Sequence, residues 1–173
     1  FIEQAVKDVA HEYLELAAIS RRDRLASEFQ HNHDRLALVA SRTALRLHCG
    51  KYLTDPDANS GSVDRIRKIV RDANAALTAV DAIVVLDRDG SVIATSNPEL
   101  PAAELGSTDF FADSRDRYQV TGMDFSQKRW YLGAPLQDDD GHNIAVIMLI
   151  ADAADFFRIL ENPFGPGKTG EAL

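Results

Sequence analysis

The feature that most constrains the fold is a run of about fifty residues, 3–53, with no proline and no glycine before Gly50. Apolar residues recur in this run every three or four positions, which is the spacing of one face of an α-helix. The spacing changes phase around residues 20–24, so the run predicts one long helix or two nearly collinear helices. Fifty helical residues extend roughly 75 Å at about 1.5 Å per residue, more than the width of a small domain.

Part of such a helix must project from its domain or pair with another helix. A second copy of the same chain is the simplest partner, so the sequence predicts a homodimer through this helix. The apolar seam expected at the contact consists of Leu25, Phe29, Leu36 and Val39.

Downstream of a polar break at 54–61, the chain reads as a helix followed by short strands joined by tight turns. Asp89-Gly90 lies between two apolar β-branched runs, and this arrangement is a strong hairpin signal because glycine adopts the positive φ of the turn. The predicted strands are 82–87, 91–96, 118–125, 130–136 and 142–152, and the predicted shorter helices are 63–78, 108–114 and 153–162. The sequence therefore predicts an α+β fold in which a long helix precedes a compact antiparallel sheet.

Composition excludes several functional classes. The net charge of −8 argues against a nucleic-acid-binding surface, which needs a clustered basic face. No apolar run approaches the ~18 residues that a membrane span requires. Cys49 is the single cysteine, so it forms no disulfide within the chain, and on a helix it is expected to be buried. No nucleophile, base or metal cluster can be placed, so the sequence predicts neither an enzyme nor a metal or cofactor site.

Three motifs suggest ligand chemistry but fit structural roles better. Gly167, Lys168 and Thr169 lack the upstream glycine and strand of a phosphate-binding loop. His31 and His33 point in different directions on a helix and cannot share one metal, which leaves them a solvated or interface role. The acidic run 138–140 lacks the spacing of a calcium loop and is expected to be a solvated hairpin turn.

The segment 128–131, Lys-Arg-Trp-Tyr, is the best candidate for binding chemistry. Strand alternation places Lys128 and Trp130 on one face and Arg129 and Tyr131 on the other. Aromatic residues with polar tips beside a cation can hold a small carboxylate or amine, and Asp152 is a candidate partner of opposite charge. The alternative is a core tryptophan, surface cations and an Asp152 that caps the following helix.

The chain resembles a Cache domain, the PAS-like extracytoplasmic sensor of bacterial receptors. The segments that carry the resemblance are 38–46, 83–96, 109–111, 130–136 and 140–146. The resemblance implies a five-stranded antiparallel sheet flanked by helices, with a small-molecule pocket. It also implies a periplasmic location within an inner-membrane histidine kinase, diguanylate cyclase or chemoreceptor. The last residues, 163–173, resemble a linker into the second module of a double Cache receptor.

Cache members that bind amino acids carry an Arg-x-Trp-Tyr strand motif and a late Asp for the ligand amine. Trp130, Tyr131 and Asp152 match this motif, whereas Lys128 replaces its arginine and Met123 stands where an upstream tyrosine is expected. The resemblance thus implies an amino acid or another organic acid as ligand. The residues predicted to bind it are Lys128, Trp130, Tyr131, Asp152 and, from the segment 110–118, Tyr118.

The domain organisation that follows is a signalling helix at 1–53, a PAS-like Cache module at 54–162 and a linker at 163–173. The predicted function is a ligand sensor of a membrane receptor. Two alternatives stay open at this point, a ligand-free dimerisation scaffold and a cytoplasmic PAS-type module.

Overall fold

The computed structural model describes residues 2–57, 59–118 and 120–161, with side chains from residue 11 onward. Its helices are α1 (Ile2–Ala40), α2 (Thr43–Thr54), α3 (Ser60–Ala75), α4 (Asp109–Ser114) and α5 (Ala154–Glu161), with a 3₁₀ helix at Ala102–Ser107. Its strands are β1 (Val80–Leu86), β2 (Val92–Thr95), β3 (Val120–Asp124), β4 (Arg129–Gln137) and β5 (Asn143–Asp152). The predicted α+β class is confirmed. The predicted linker 163–173 lies outside the described residues.

The long helical run breaks at a different place from the predicted phase change. α1 continues through residues 20–24 and ends at Ala40, after 39 residues. Arg42 is extended, with φ −65° and ψ 111°, and α2 begins immediately afterwards. The break lies between two buried residues, Val39 and Leu45, whereas most side chains around residues 20–24 are exposed.

The described chain divides into two compact units, one of residues 2–31 with 154–161 and one of residues 32–153. In the first unit Phe156 meets Phe29 and Phe157 edge to face, at centroid distances of 6.2 and 5.7 Å. The second unit holds the sheet and most of the buried core.

The sheet has five antiparallel strands in the order β2-β1-β5-β4-β3, which confirms the predicted five-stranded antiparallel sheet. β5 lies at its centre with β1 and β4 on either side, and among the described residues β3 is an edge strand that pairs with β4. Asp81 has no partner in the ladder between β1 and β5, since the register shifts between Val80 and Ala82. This bulge changes the direction of the Asp81 side chain relative to a regular strand.

The two faces of the sheet carry different helices. On one face, α3 packs against β1 and β2 while α2 packs against β5. The other face is covered by the 3₁₀ helix and α4, whose Ala102 and Phe111 join a buried cluster with alternate residues of β1 and β5. Alternation along the strands separates these faces, and both are apolar because the central strands are covered on each side.

α4 lies very close to the sheet because two facing strand residues are glycines. A Cβ at Gly133 would fall against the Ser114 hydroxyl, and one at Gly122 would lie 3.1 Å from the Phe110 ring. A side chain at Gly133 would require Ser114 to move, and one at Gly122 would require the Phe110 ring to shift by a few tenths of an ångström. The glycines therefore set the height of α4 above β3 and β4, and with it the shape of the space beside α4.

Candidate functional site

A cavity of about 390 Å³ opens on the α4 face of the sheet, within the second unit. The strand side of its wall is formed by Gly122, Asp124, Arg129, Tyr131 and Ile150. The opposite side comes from the 3₁₀ helix and the start of α4, with Leu100, Pro101, Glu104, Leu105, Thr108 and Phe110. Met123 and Gln127 complete the lining. The volume lies within the range of small-molecule sites.

Local capping holds the helical wall in place. The Thr108 hydroxyl accepts a hydrogen bond from the Phe111 amide at 3.1 Å, as a residue that caps the N-terminus of a helix does. The same hydroxyl donates to the Leu105 carbonyl at 2.7 Å and so ties α4 to the 3₁₀ helix. Phe110 then meets Tyr131 edge to face at 6.2 Å, which joins the helical wall to the sheet.

Arg129 is the cation of the cavity, and its orientation is determined by two side chains. Its Nε donates to Asp81 Oδ2 at 2.9 Å, and its Nη1 donates to Gln127 Oε1 at 2.7 Å. The bulge at Asp81 brings that carboxylate to the guanidinium. These contacts fix the guanidinium at the cavity wall through Nε and Nη1.

Asp124 supplies negative charge at the base of the β3–β4 turn. One of its oxygens accepts hydrogen bonds from the Ser126 hydroxyl at 2.6 Å and from the amides of Ser126 and Gln127 at 2.8 and 3.0 Å. The Ser126 and Gln127 hydrogen bonds lower the pKa of Asp124 from its ordinary value. The carboxylate is therefore ionised at neutral pH.

Tyr131 presents a neutral hydroxyl to the same space. Burial raises its pKa above the ordinary value, and the negative charge of Asp124 adds to the shift. A tyrosine held neutral can both donate and accept a hydrogen bond. The cavity thus combines a guanidinium, an ionised carboxylate, a phenol and an apolar floor, and Glu104 adds a second carboxylate to its wall. This combination suits reversible binding of a small polar molecule that bears both signs of charge.

Of the five residues predicted to bind ligand, Tyr131 lines the cavity. Trp130 is buried, at 3% exposure, and alternation turns it to the opposite face of the sheet. Lys128 is exposed in the β3–β4 turn, in the left-handed conformation with φ 51°. Asp152 is exposed at the end of β5 opposite Arg129, and Tyr118 is 58% exposed ahead of β3. The structure therefore does not gather these five side chains around one space.

Arg129, Asp124 and Glu104 are the charged lining residues that the motif resemblance missed. Strand alternation had already placed Arg129 on the face of Tyr131, so the signal for this residue was present in the sequence. Asp124 and Glu104 had no comparable signal, because their approach depends on how the 3₁₀ helix covers the sheet.

The other polar clusters that the sequence suggested lie outside the cavity lining. Asp138, Asp140 and His142 bring their side-chain donor atoms within 4.8 Å of one another in the β4–β5 turn. Asp138 Oδ1 accepts from the amides of Asp140 and His142, at 3.0 and 2.8 Å, as expected for a hairpin turn. His31 is exposed, whereas His33 is hydrogen-bonded within the fold. The glycine-rich triplet 167–169 lies outside the described residues.

Structural comparison places this architecture among bacterial sensor domains. The sensor domain of the histidine kinase DctB from V. cholerae matches with a TM-score of 0.59 at 20% identity, over 87% of this chain and 61% of that one. The E. coli DcuS sensor domain matches with a TM-score of 0.54 at 16% identity, over 83% of this chain and 99% of that one. No known family and no curated protein matches the sequence.

The fold is that of the PAS-like, Cache-type sensor domains, as the sequence resemblance predicted. Solved structures with this fold include sensor domains, one of which belongs to a histidine kinase. This chain spans 61% of the DctB sensor domain, so it corresponds to part of that structure. Within the described residues, no helix has the apolar length needed to cross a bilayer.

Proposed function

We propose that this chain is the extracytoplasmic ligand-sensing module of a bacterial membrane receptor, and that its ligand occupies the cavity beside α4. The observation that carries the proposal is the convergence of Arg129, Asp124 and Tyr131 on one cavity of small-molecule size in a sensor-type fold. A periplasmic location, and an output through a histidine kinase, a diguanylate cyclase or a chemoreceptor, belong to the same proposal.

The charges of the cavity favour an amino acid over other small organic acids as the ligand. A ligand ammonium would lie against Asp124, and a ligand carboxylate would accept from the guanidinium of Arg129. Glu104 and Asp124 together disfavour a ligand with two carboxylates, because like charges in a partly enclosed space repel. Phe110, Leu105 and Ile150 offer apolar contact for the remainder of the molecule.

A thermal-shift screen of the purified chain against the twenty amino acids, short dicarboxylic acids and simple amines tests this assignment. A ligand present at about a hundred times its dissociation constant stabilises a fold by ~2.7 kcal/mol. For a chain of this length, that corresponds to a rise in Tm of roughly 5–10 °C. An amino-acid hit supports the assignment. A dicarboxylate hit contradicts the charge argument while keeping the sensor role, and a blank screen argues for a ligand-free scaffold.

Substitutions locate the site of any hit. Asp124→Asn and Arg129→Gln each remove a charge-assisted contact and should weaken binding by about 10- to 100-fold, because such bonds contribute about 1.5–3 kcal/mol. Lys128→Ala and Asp152→Ala are the matched controls, since these predicted residues lie outside the cavity lining. Loss of affinity in the controls with no loss in Asp124→Asn would place the ligand elsewhere and restore the motif-based assignment.

Self-association through α1 is the second part of the proposal. Tyr13, Leu16 and Ile19 expose about half or more of their surface, at 52%, 61% and 48%. Of the predicted seam, Leu36 and Val39 are buried within their own chain, so we assign the dimer contact to the exposed apolar positions of α1. Sedimentation of the wild-type chain and of Leu16→Glu tests it, and an unchanged distribution of species would contradict it.

A further inference from the structure

We propose that the hydrogen bond between Thr121 on β3 and His33 on α1 couples the cavity to the long helix. In this inference, which rests on the proposed ligand cavity, the cavity lies on one side of β3, and the last turns of α1, residues 32–40, lie on the other. Displacement of β3 by a ligand is then transmitted to α1 through this pair of side chains.

The position of β3 makes it suitable for this role. Gly122 lies on the cavity side, where the Phe110 ring would lie only 3.1 Å from a Cβ at this position. Thr121 is the preceding residue and points to the opposite face, beside its partner Leu132. In the part of the chain that the structure describes, β3 is hydrogen-bonded to one neighbouring strand only, so it can shift with fewer broken bonds than a central strand.

The helix side of the contact is firmly packed. His33 Nε2 and Thr121 Oγ1 are 3.2 Å apart, and the two residues are separated by 88 positions in the sequence. Around His33, the last turns of α1 bury Asn32, Leu36 and Val39. A hydrogen bond weakens steeply with distance and angle, so a small shift of Thr121 changes the energy of this contact. Apolar packing alone would be far less directional.

The coupling follows the logic of a population shift. A ligand changes the equilibrium between two arrangements only through contacts that differ between them. Residues 122–124 line the cavity, so a ligand in contact with them favours one position of β3. The Thr121–His33 hydrogen bond then favours the corresponding position of the end of α1.

A double-mutant cycle measured by native-state hydrogen exchange tests the coupling without a ligand. Phe110→Leu alters the cavity wall that rests on Gly122, and Thr121→Val removes the hydroxyl with little change of shape. The readout is the exchange rate of the backbone amides of residues 33–40. In the presence of Thr121, Phe110→Leu should change these rates by about fivefold or more, the low end of coupling between sites. In Thr121→Val the response to Phe110→Leu should disappear.

Two histidine variants provide a matched control on the helix. His33→Leu removes the same hydrogen bond from the other side and should abolish the response as Thr121→Val does. His31→Leu changes an exposed histidine on the same helix and should leave the response intact. Urea denaturation of every variant separates a general loss of stability, which alters exchange throughout the second unit, from the specific loss of response at 33–40.

An equal response of the α1 amides with and without the Thr121 hydroxyl would overturn the proposal. A second hydrogen-exchange experiment adds each of the twenty amino acids to the wild-type chain and to the Thr121→Val variant. An amino acid that binds should protect the amides of β3 in both proteins but alter the 33–40 amides in the wild type alone. If no amino acid binds, the ligand assignment fails, while the Phe110–Thr121 cycle still decides the coupling.

Discussion

Asp81 and Arg129 form an ion pair across 48 residues, with Arg129 Nε 2.9 Å from Asp81 Oδ2. Their side chains keep 33% and 28% of their exposure, so the pair is partly buried and lies outside the core. Asp81 lies in the bulge between β1 and β5, and Asn97 donates to its carbonyl at 3.2 Å. The backbone irregularity thus lies beside the partner of Arg129, an arginine that lines the cavity.

We expect Asp81→Asn to lower the free energy of unfolding by about 1 kcal/mol, because a partly exposed ion pair contributes in that range. Urea denaturation at low and high salt measures the effect, and the difference from the wild type should shrink as salt rises. The control is Asp72→Asn, which removes the more exposed Lys68–Asp72 pair on α3. Equal losses in the two variants would show that Asp81 has no special role.

Gly133→Ala should destabilise the fold by about 1–3 kcal/mol, the usual cost of overpacking. The added methyl would meet the Ser114 hydroxyl and would lie 2.7 Å from Ser114 Cβ. Ser114→Ala in the same chain should recover part of the loss by removing the hydroxyl. Gly61→Ala is the control, since a Cβ at this position on α3 meets nothing within 4 Å. This control should stabilise the fold by up to about 1 kcal/mol through helix propensity. A neutral Gly133→Ala would mean that α4 moves freely above the sheet.

The Asp124 carboxylate should make stability depend on pH in the acid range. The hydrogen bonds from Ser126 and Gln127 lower its pKa in the folded state. Its contribution is therefore complete above about pH 4, near the unfolded value, and is lost as the pH falls through the lower folded pKa. Urea midpoints of the wild type and Asp124→Asn should differ at about pH 6 and converge on acidification. A difference that stays constant with pH would rule out this role for Asp124.

Cys49 should resist thiol reagents as long as the chain is folded. The residue is fully buried, and burial raises the pKa of the thiol to about 12. At pH 8 roughly one thiol in ten thousand is then ionised, and the thiolate is the reactive form. Reaction with Ellman's reagent should therefore follow the unfolding rate in dilute buffer and be immediate in concentrated urea. Rapid labelling of the folded chain would contradict the burial.

Most of the fold could be predicted from the sequence, because its strands are short apolar runs separated by turn residues. Gly90 and Gly141 adopt the positive φ that the hairpins require, at 92° and 83°. The position of the break between α1 and α2 could not be predicted from the sequence, since residues on both sides of Arg42 favour a helix locally. The residues that flank it, Val39 and Leu45, are both buried, and their burial is a property of the whole fold that a local sequence window does not show.

The candidate site was only partly predictable for a similar reason. Alternation correctly separated Tyr131 and Arg129 from Trp130, but it could not tell which face of the strand borders the cavity. That choice depends on the 3₁₀ helix and α4 leaving a space on their face. The bulge at Asp81 could not be predicted either, because a regular alternating pattern does not reveal a shift in register.

The beginning of β1 and the end of β5 are neighbours, with Val80 opposite Ala151 and the Asp152 amide donating to the Ala79 carbonyl at 3.0 Å. The chain from the start of β1 to the end of β5 therefore begins and ends at neighbouring positions of the sheet. Tension applied to residues 79 and 153 would pull these two strands apart from the same end. Their hydrogen bonds would then fail one after another, as in unzipping, instead of resisting together in shear. The sheet should consequently unfold at a low force when it is pulled in this direction.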